Sequence, residues 1–356
     1  MQIQNLHDLG WSHFFQSQLD LDLLTTQLPF RVFSVHRNLI ECVGLDTEYN
    51  VKQVQLSTYP WRNERPEDHP TVGDWLMLDH AFEPQKLVAR KTRIQRRAAG
   101  KNALVQMIAA NIDTLFITTS CNDDFNLNRI ERYLSIAAES GVHCVLVLTK
   151  VDLCDDTSVY THELAASHPD LAVELVDATS AVSISTLEKW IGAGQTVALV
   201  GSSGVGKSTI TNGLMGSEDQ FTAAIRSSDS KGRHTTTSRS LHCLPSGGLL
   251  LDTPGMRELQ IVDSEEGIKN TFNDINELAQ GCRFKNCQHN GEPGCAVVNA
   301  VNTGILDQRR LENYQKLLAE QLRNSATIAE RRQADKALGR FYKDALQSAK
   351  RFKSRE

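Results

Sequence analysis

Between residues 31 and 90 apolar and polar positions alternate in short runs, which predicts strands at Arg31–Val43, Val51–Leu56, Val72–Leu78 and Lys86–Arg90. Tyr59-Pro60, Pro66, Pro70 and Gly73 punctuate this stretch, and strands so closely spaced predict a small β-barrel. The residues before position 30 carry little pattern. Past residue 110 the pattern changes. Apolar runs at Thr114–Thr119, His143–Leu148, Ala172–Val176, Thr196–Val200 and Gly248–Leu251 alternate with helical segments, the signature of a parallel sheet wrapped by helices. Leu127, Ile130, Tyr133, Leu134, Ala137 and Ala138 recur at three- and four-residue spacing, and Gly141 ends that helix. From Ile268 onward only helical periodicity remains. Leu311, Tyr314, Leu317, Leu318 and Leu322 mark one apolar face; Ala334, Ala337, Leu338, Phe341, Tyr342 and Ala345 mark another.

A chain of 356 residues favours two or three domains, and its 40% hydrophobic and 23% charged fractions are ordinary for globular proteins. Apolar runs such as Cys144–Leu148 fall far short of the roughly 20 residues a bilayer core requires, so no membrane span is expected. His7, Asp8, His13, Asp20 and Asp22 interrupt any secretory pattern in residues 1–30, so a cytoplasmic protein is expected. The net charge of −5 hides two basic blocks. Residues 85–101 carry seven Lys or Arg and no acid; residues 331–356 carry nine against Asp335, Asp344 and Glu356. Two such blocks in an acidic chain point to a polyanionic partner.

The segment Gly201-Ser-Ser-Gly-Val-Gly-Lys207-Ser208 directly follows an apolar strand and fits G-x₄-G-K-[ST]. Its glycines let backbone N–H groups curl around phosphate oxygens, the next helix adds its positive end, and Lys207 reaches the terminal phosphates. Gly201, Ser202, Ser203, Gly204, Val205, Gly206, Lys207, Ser208 and Thr209 are therefore expected to hold a nucleotide, with Ser208 on Mg²⁺. Thr149-Lys150-Val151-Asp152 ends another strand. Asp152 can accept from guanine N1 and N2, which adenine does not offer, while the Lys150 stem lies along the purine. Asp177-Ala178-Thr179, at a further strand end, can present an N–H to the guanine oxygen. Asp252-Thr-Pro-Gly255 places a carboxylate near the magnesium shell and a glycine N–H at the γ-phosphate. In Lys231-Gly-Arg-His-Thr-Thr-Thr-Ser238 a threonine hydroxyl, assigned to Thr236, completes the Mg²⁺ shell.

These elements describe a GTPase whose motifs stand in an unusual order, because the guanine motif precedes the phosphate loop by about fifty residues. Behind them, Cys282-x₄-Cys287-x-His289-x₅-Cys295 supplies three thiolates and one imidazole, enough for a closed tetrahedral Zn²⁺ of structural type. The other cysteines (Cys42, Cys121, Cys144, Cys154, Cys243) are scattered, which fits a reducing compartment. With a barrel in front and this cluster behind, the chain closely resembles the RsgA (YjeQ/YloQ) family of small-subunit-dependent GTPases over residues 30–320. The run Gly232–Thr237 and the segment Glu292-Pro-Gly-Cys-Ala296 add to the resemblance.

The resemblance implies a multidomain α/β protein: an N-terminal segment and OB-type barrel at 1–95, a circularly permuted GTPase domain at 96–262, and a zinc-binding helical domain with a basic tail at 263–356. It further implies a role in late maturation of the small (30S) ribosomal subunit, with 16S rRNA and GTP/GDP as partners, release after hydrolysis and a monomeric chain. Lys86, Arg90, Lys91, Arg93, Arg96, Arg97 and Lys101 would meet RNA phosphates. Two positions depart from the pattern: Thr149 stands where Asn is commoner, and Asp177 where Ser is expected. Met256 occupies the place from which Ras-like enzymes position water, so His234, beside the switch threonines, is the candidate catalytic group together with Lys207. An RNA-binding scaffold that stores GTP, supported by Met256, is the competing reading. An ATP-using P-loop kinase is disfavoured by Asp152.

Overall fold

The computed structural model of the chain describes residues 3–97, 105–216, 239–252 and 264–325. Strands β1 (Leu28–Val35), β2 (Leu39–Leu45), β3 (Val51–Ser57), β4 (Trp75–Leu78) and β5 (Pro84–Leu87) form an antiparallel N-terminal unit in which β1 pairs with both β2 and β4. Phe30, Val32, Ile40, Cys42, Leu56, Leu76 and Leu78 fill its interior. The single strand expected over Arg31–Val43 is a hairpin instead. Three consecutive polar residues, His36, Arg37 and Asn38, turn the chain, and His36 N–H donates to Leu39 O at 2.8 Å. The weakly patterned N-terminus forms short helices, α1 (His13–Gln16) and α2 (Leu21–Thr26), and buries Leu9, Trp11 and Phe15, the two aromatic rings lying against Trp75.

A hairpin of β6 (Arg93–Arg97) and β7 (Val105–Ala110) leads into the parallel sheet. Its strands β8 (Thr114–Ser120), β9 (His143–Thr149), β10 (Ala172–Val176), β11 (Thr196–Val200) and β13 (Leu249–Asp252) run in the order β10-β9-β8-β11-β13. Strand β12 (Arg239–Cys243) pairs antiparallel with both β13 and β1, so the parallel sheet and the N-terminal unit share one continuous ladder. Helices α3 (Leu127–Ser140), α4 (Ser158–Ser167), α5 (Ala181–Ser185) and α6 (Lys207–Met215) connect the strands. Helix α3 opens on an Asn126 cap whose Oδ1 accepts the Arg129 N–H at 3.0 Å, and it ends on Gly141 in the left-handed region at φ 68°.

The C-terminal unit is helical: α7 (Glu265–Thr271), α8 (Asn273–Ala279), α9 (Ala296–Asn302) and α10 (Gln308–Ser325). It packs directly on α3. A Cβ at Gly267 would lie 2.0 Å from Ser135 O, so only glycine lets α7 approach α3 this closely. Leu311, Tyr314 and Leu317 of α10 are buried as expected, whereas Leu322 is 72% exposed. Gln321 takes the inward position instead, and its side-chain oxygen accepts the Ser264 N–H at 3.1 Å. The second apolar face expected at residues 334–345 lies outside the described residues.

Candidate functional site

The phosphate-loop segment joins β11 to α6 at the C-terminal edge of the parallel sheet, where open α/β sheets bind ligands. Gly201, Gly204 and Gly206 have φ of 143°, 81° and 95°. A Cβ at Gly201 would meet Thr118 O at 2.1 Å, so a side chain there would push the loop off β8. Val205 is buried and anchors the loop, while Ser203, Gly204, Ser208 and Thr209 are exposed at its rim. The Lys207 ammonium rests on the loop itself, donating to Gly201 O at 2.8 Å and to Ser202 O.

Three sequence-distant segments meet at this loop. Thr149, the last residue of β9, is fully buried, and its hydroxyl lies 2.6 Å from Val205 O and 3.2 Å from Thr119 O. It thus braces the phosphate loop from behind. Lys150 follows in the left-handed region at φ 58°, and this reversal carries Asp152 to an exposed position in the turn Val151–Leu153. Past β10, Ala178 faces Gly206: a Cβ on that glycine would lie 3.6 Å from Ala178 Cβ and 3.9 Å from Thr149 Cβ. Asp177 turns its carboxylate onto its own loop, where Oδ1 accepts from Thr179 N at 2.8 Å and Thr179 Oγ1 at 2.7 Å. Those bonds hold it below the usual carboxylate range. Asp252 ends β13 with its side chain exposed. Gly255 and Met256, and His234 and Thr236 of the switch run, lie outside the described residues.

Sequence reading missed the loop after β8. Asp124 accepts from Ser202 Oγ at 2.6 Å and pairs with Arg129 at 2.9 Å. Nothing in the local pattern around Asp124 marks it, because its partner is 78 residues away. The basic block also needs correction at one position. Arg90 is expected among phosphate-binding residues, yet its guanidinium is nearly enclosed, bonding both Asp74 carboxylate oxygens at 2.8 Å and the carbonyls of Glu67 and His69.

In the C-terminal unit, the ligand atoms of Cys282, Cys287, His289 and Cys295 all lie within 4.8 Å of one another. His289 Nδ1 is 3.4 Å from Cys295 Sγ and 3.7 Å from Cys282 Sγ, and the latter two sulfurs are 3.9 Å apart. A tetrahedron with Zn–S near 2.3 Å and Zn–N near 2.05 Å has edges of about 3.6–3.8 Å, so this donor set fits the ion. Cys295 also caps α9, with its sulfur accepting the Val298 N–H at 3.4 Å. Gln315 of α10 braces the knuckle through His289 O at 2.9 Å.

The helices that flank the knuckle, α8 and α10, are locked to α3 by a buried charge cluster. Glu131 of α3 is fully enclosed, with Arg309 at 3.1 Å, Arg310 at 2.9 Å and His168 at 3.6 Å from its carboxylate. Burial alone would raise this carboxyl; the His168, Arg309 and Asn313 contacts overcome it and hold it at about 2. Arg310 also clasps Asp274 of α8 through two 2.7 Å bonds, and Arg132 clasps Glu320 of α10 through two at 2.6 Å.

Comparison with known proteins agrees with this architecture. Residues 87–262 match the family model described as RsgA GTPase. The small ribosomal subunit biogenesis GTPase RsgA 2 of Vibrio vulnificus is 46% identical over 353 residues, covering 99% of this chain and 98% of that protein. The small ribosomal subunit biogenesis GTPase RsgA of Mesorhizobium japonicum is 45% identical, covering 94% and 95%. Among solved structures, YjeQ from Thermotoga maritima superposes with a TM-score of 0.61 at 23% identity over 83% of this chain and 99% of that one. YloQ, described as a circularly permuted GTPase, gives 0.59 at 23% identity over 85% and 97%. The near full-length identity to these relatives and the permuted order of its motifs make this chain a member of the RsgA GTPase family.

Proposed function

We propose that this chain is a GTP hydrolase of small ribosomal subunit biogenesis, binding the subunit while GTP is intact and leaving after hydrolysis. The observation that supports the reading is that Thr149 and Ala178, from the two candidate base-reading segments, both meet the phosphate loop, at Val205 and Gly206, despite the permuted order. In this reading Asp152 reads the guanine edge, Lys150 covers the ring and the Ala178 N–H meets the guanine oxygen. Lys207 leaves its loop carbonyls for the phosphates, and the Ser208 hydroxyl, with Thr236 and the Asp252 carboxylate, holds Mg²⁺. A magnesium ion held there would supply charge neutralisation to the phosphates during transfer.

The Cys282, Cys287, His289 and Cys295 set binds one structural zinc with no open position. His234 is proposed to orient the attacking water when the small subunit is bound. The barrel face and the basic residues other than Arg90 meet 16S rRNA in the cytoplasm, and the chain acts as a monomer. The functional units are taken as 1–95, 96–262 and 263–356. The family membership speaks against a scaffold that only stores GTP.

One experiment tests the reading. GTP turnover is measured with and without small subunits for the parent, Asp152→Asn and His234→Ala. The parent should be stimulated by subunits and prefer GTP to ATP. Asp152→Asn should lose GTP affinity by at least about tenfold and admit xanthine nucleotides, because the amide reverses hydrogen-bond polarity. His234→Ala should keep affinity and lose stimulation. Equal parent affinity for ATP and GTP would sink the guanine assignment.

A further inference from the structure

The loop between β8 and α3 places a carboxylate against the phosphate loop. Asp124 Oδ1 accepts from Ser202 Oγ at 2.6 Å, while Oδ2 accepts from Arg129 at 2.9 Å and from Thr119 Oγ1 at 3.3 Å. Donors from a strand, a helix and the phosphate loop thus converge on one side chain. A carboxylate in a strand-to-helix loop commonly serves as the helix cap, but here Asn126 fills that role. Loop folding alone is also served by another residue, since Asn122 Oδ1 accepts from Ser120 Oγ at 2.7 Å and from Asp124 N at 3.0 Å.

Electrostatics sharpens the point. A carboxylate beside a loop built for anions opposes the ligand unless a cation offsets it. Arg129 provides that offset, so the hydrogen bond to Ser202 remains without a bare negative charge. Ser202 is then gripped from two sides, its hydroxyl by Asp124 and its carbonyl by Lys207. If Lys207 turns to the phosphates on binding, Asp124 becomes the remaining side-chain hold on Ser202 among those described here.

We propose that Asp124 is a positioning residue for the nucleotide reaction: through Ser202 it holds the phosphate loop in its ligand-ready shape and ties that shape to α3. The inference rests on the reading of Gly201–Ser208 as a phosphate loop and goes beyond it in assigning a role outside the motifs. Helix α3 is the element that the C-terminal unit clasps through Glu131 and Arg132, so Asp124 stands where a shift of α3 would reach the phosphates. A loop that is not preorganised must be ordered by the ligand, which weakens nucleotide binding in both phosphorylation states.

The test uses the full chain carrying Asp124→Ala, Ser202→Ala, both together, or Asp124→Asn, with fluorescent GDP affinity and steady-state GTP turnover as readouts. Loss of one charge-assisted hydrogen bond corresponds to about tenfold. Each alanine variant should weaken GDP binding by about that factor and raise KM with kcat changed less than about threefold. The double variant should be no weaker than either single, and Asp124→Asn should keep most of the affinity because its amide oxygen still accepts from Ser202. Affinity like the parent's in Asp124→Ala, or a double loss equal to the product of the singles, overturns the inference. Should Asp124→Ala fail to fold, Ser202→Ala decides: a tenfold loss supports the inference and an unchanged affinity overturns it. A parent that binds no guanine nucleotide overturns the proposed function itself, and this inference with it.

Discussion

The Cys/His knuckle and the phosphate loop are both short, motif-like segments, yet they are built in opposite ways. The knuckle gathers four side-chain ligands from fourteen consecutive residues around one point. The loop presents backbone, and its shape comes from other parts of the chain: Thr149 behind it, Ala178 beside Gly206, Thr118 beneath Gly201 and Asp124 on Ser202. A metal-type site can therefore be complete within its own sequence, whereas a backbone site borrows its rigidity from distant segments. The two should fail differently when broken.

The largest effect is expected at the knuckle. Removing zinc with a chelator, or replacing Cys287 with Ala, takes away most of what orders the turn between α8 and α9, since structural zinc contributes folding free energy on the order of 10 kcal/mol. We expect about one zinc per parent chain, heightened proteolysis beyond residue 265 in the variant, and guanine nucleotide affinity within about threefold of the parent. Full zinc content in a variant lacking both Cys287 and Cys295 would refute the ligand set. A large loss of nucleotide affinity would show that the two regions are less separable than their construction suggests.

Legibility in the sequence follows the same division. Strands Ala172–Val176 and Thr196–Val200 were readable to the residue because both are short, β-branched and bounded by turns. Strand β12 was not, since Arg239-Ser-Leu-His-Cys243 has one fully buried apolar residue and owes its conformation to pairing on both edges. The basic residues of β6 read as a linker because their extended conformation comes from pairing with β7 in a separate two-stranded hairpin. Leu322 misled because Leu318 sets one helical row and Leu317 another; the row through Leu317 and Gln321 is the one α10 turns inward. Glu131 lies in the row of Leu127 and Leu134 at the edge of the apolar face of α3, and a lone acid there gives no sign that its partners are arginines of α10 about 180 residues away. The motifs were legible; the groups that hold them in place were not.

Glu131 offers the next test, because it joins α3, which follows the Asp124 loop, to α10, which braces the knuckle. Replacing it with Gln leaves Arg309 and Arg310 without their shared anion in an enclosed site, a loss of about 3 kcal/mol at neutral pH. Its folded pKa of about 2 lies below the reference value of 4.5. The ionised cluster therefore stabilises the fold above about pH 4.5, and that contribution fades as pH falls toward about 2. Denaturant midpoints of parent and Glu131→Gln should differ clearly near neutrality and converge in acid. A constant gap across that range would mean that the cluster's charge does not matter to stability.

The smallest effect is expected at Thr149, where the comparison is most finely drawn. Its hydroxyl can donate one hydrogen bond, and the 2.6 Å approach to Val205 O, shorter than the 3.2 Å to Thr119 O, marks the phosphate loop as the acceptor. Thr149→Val keeps the branched shape, so packing is preserved while a buried carbonyl loses its donor, at a cost of about 1–3 kcal/mol. Because this bond braces the loop from behind without touching the base, GTP and GDP should weaken together by several-fold while preference over ATP stays unchanged. Thr149→Asn should restore affinity if its amide reaches the same carbonyl. A change in base preference in the valine variant would instead place Thr149 on the guanine, and the division between bracing by Thr149 and reading by Asp152 would have to be redrawn.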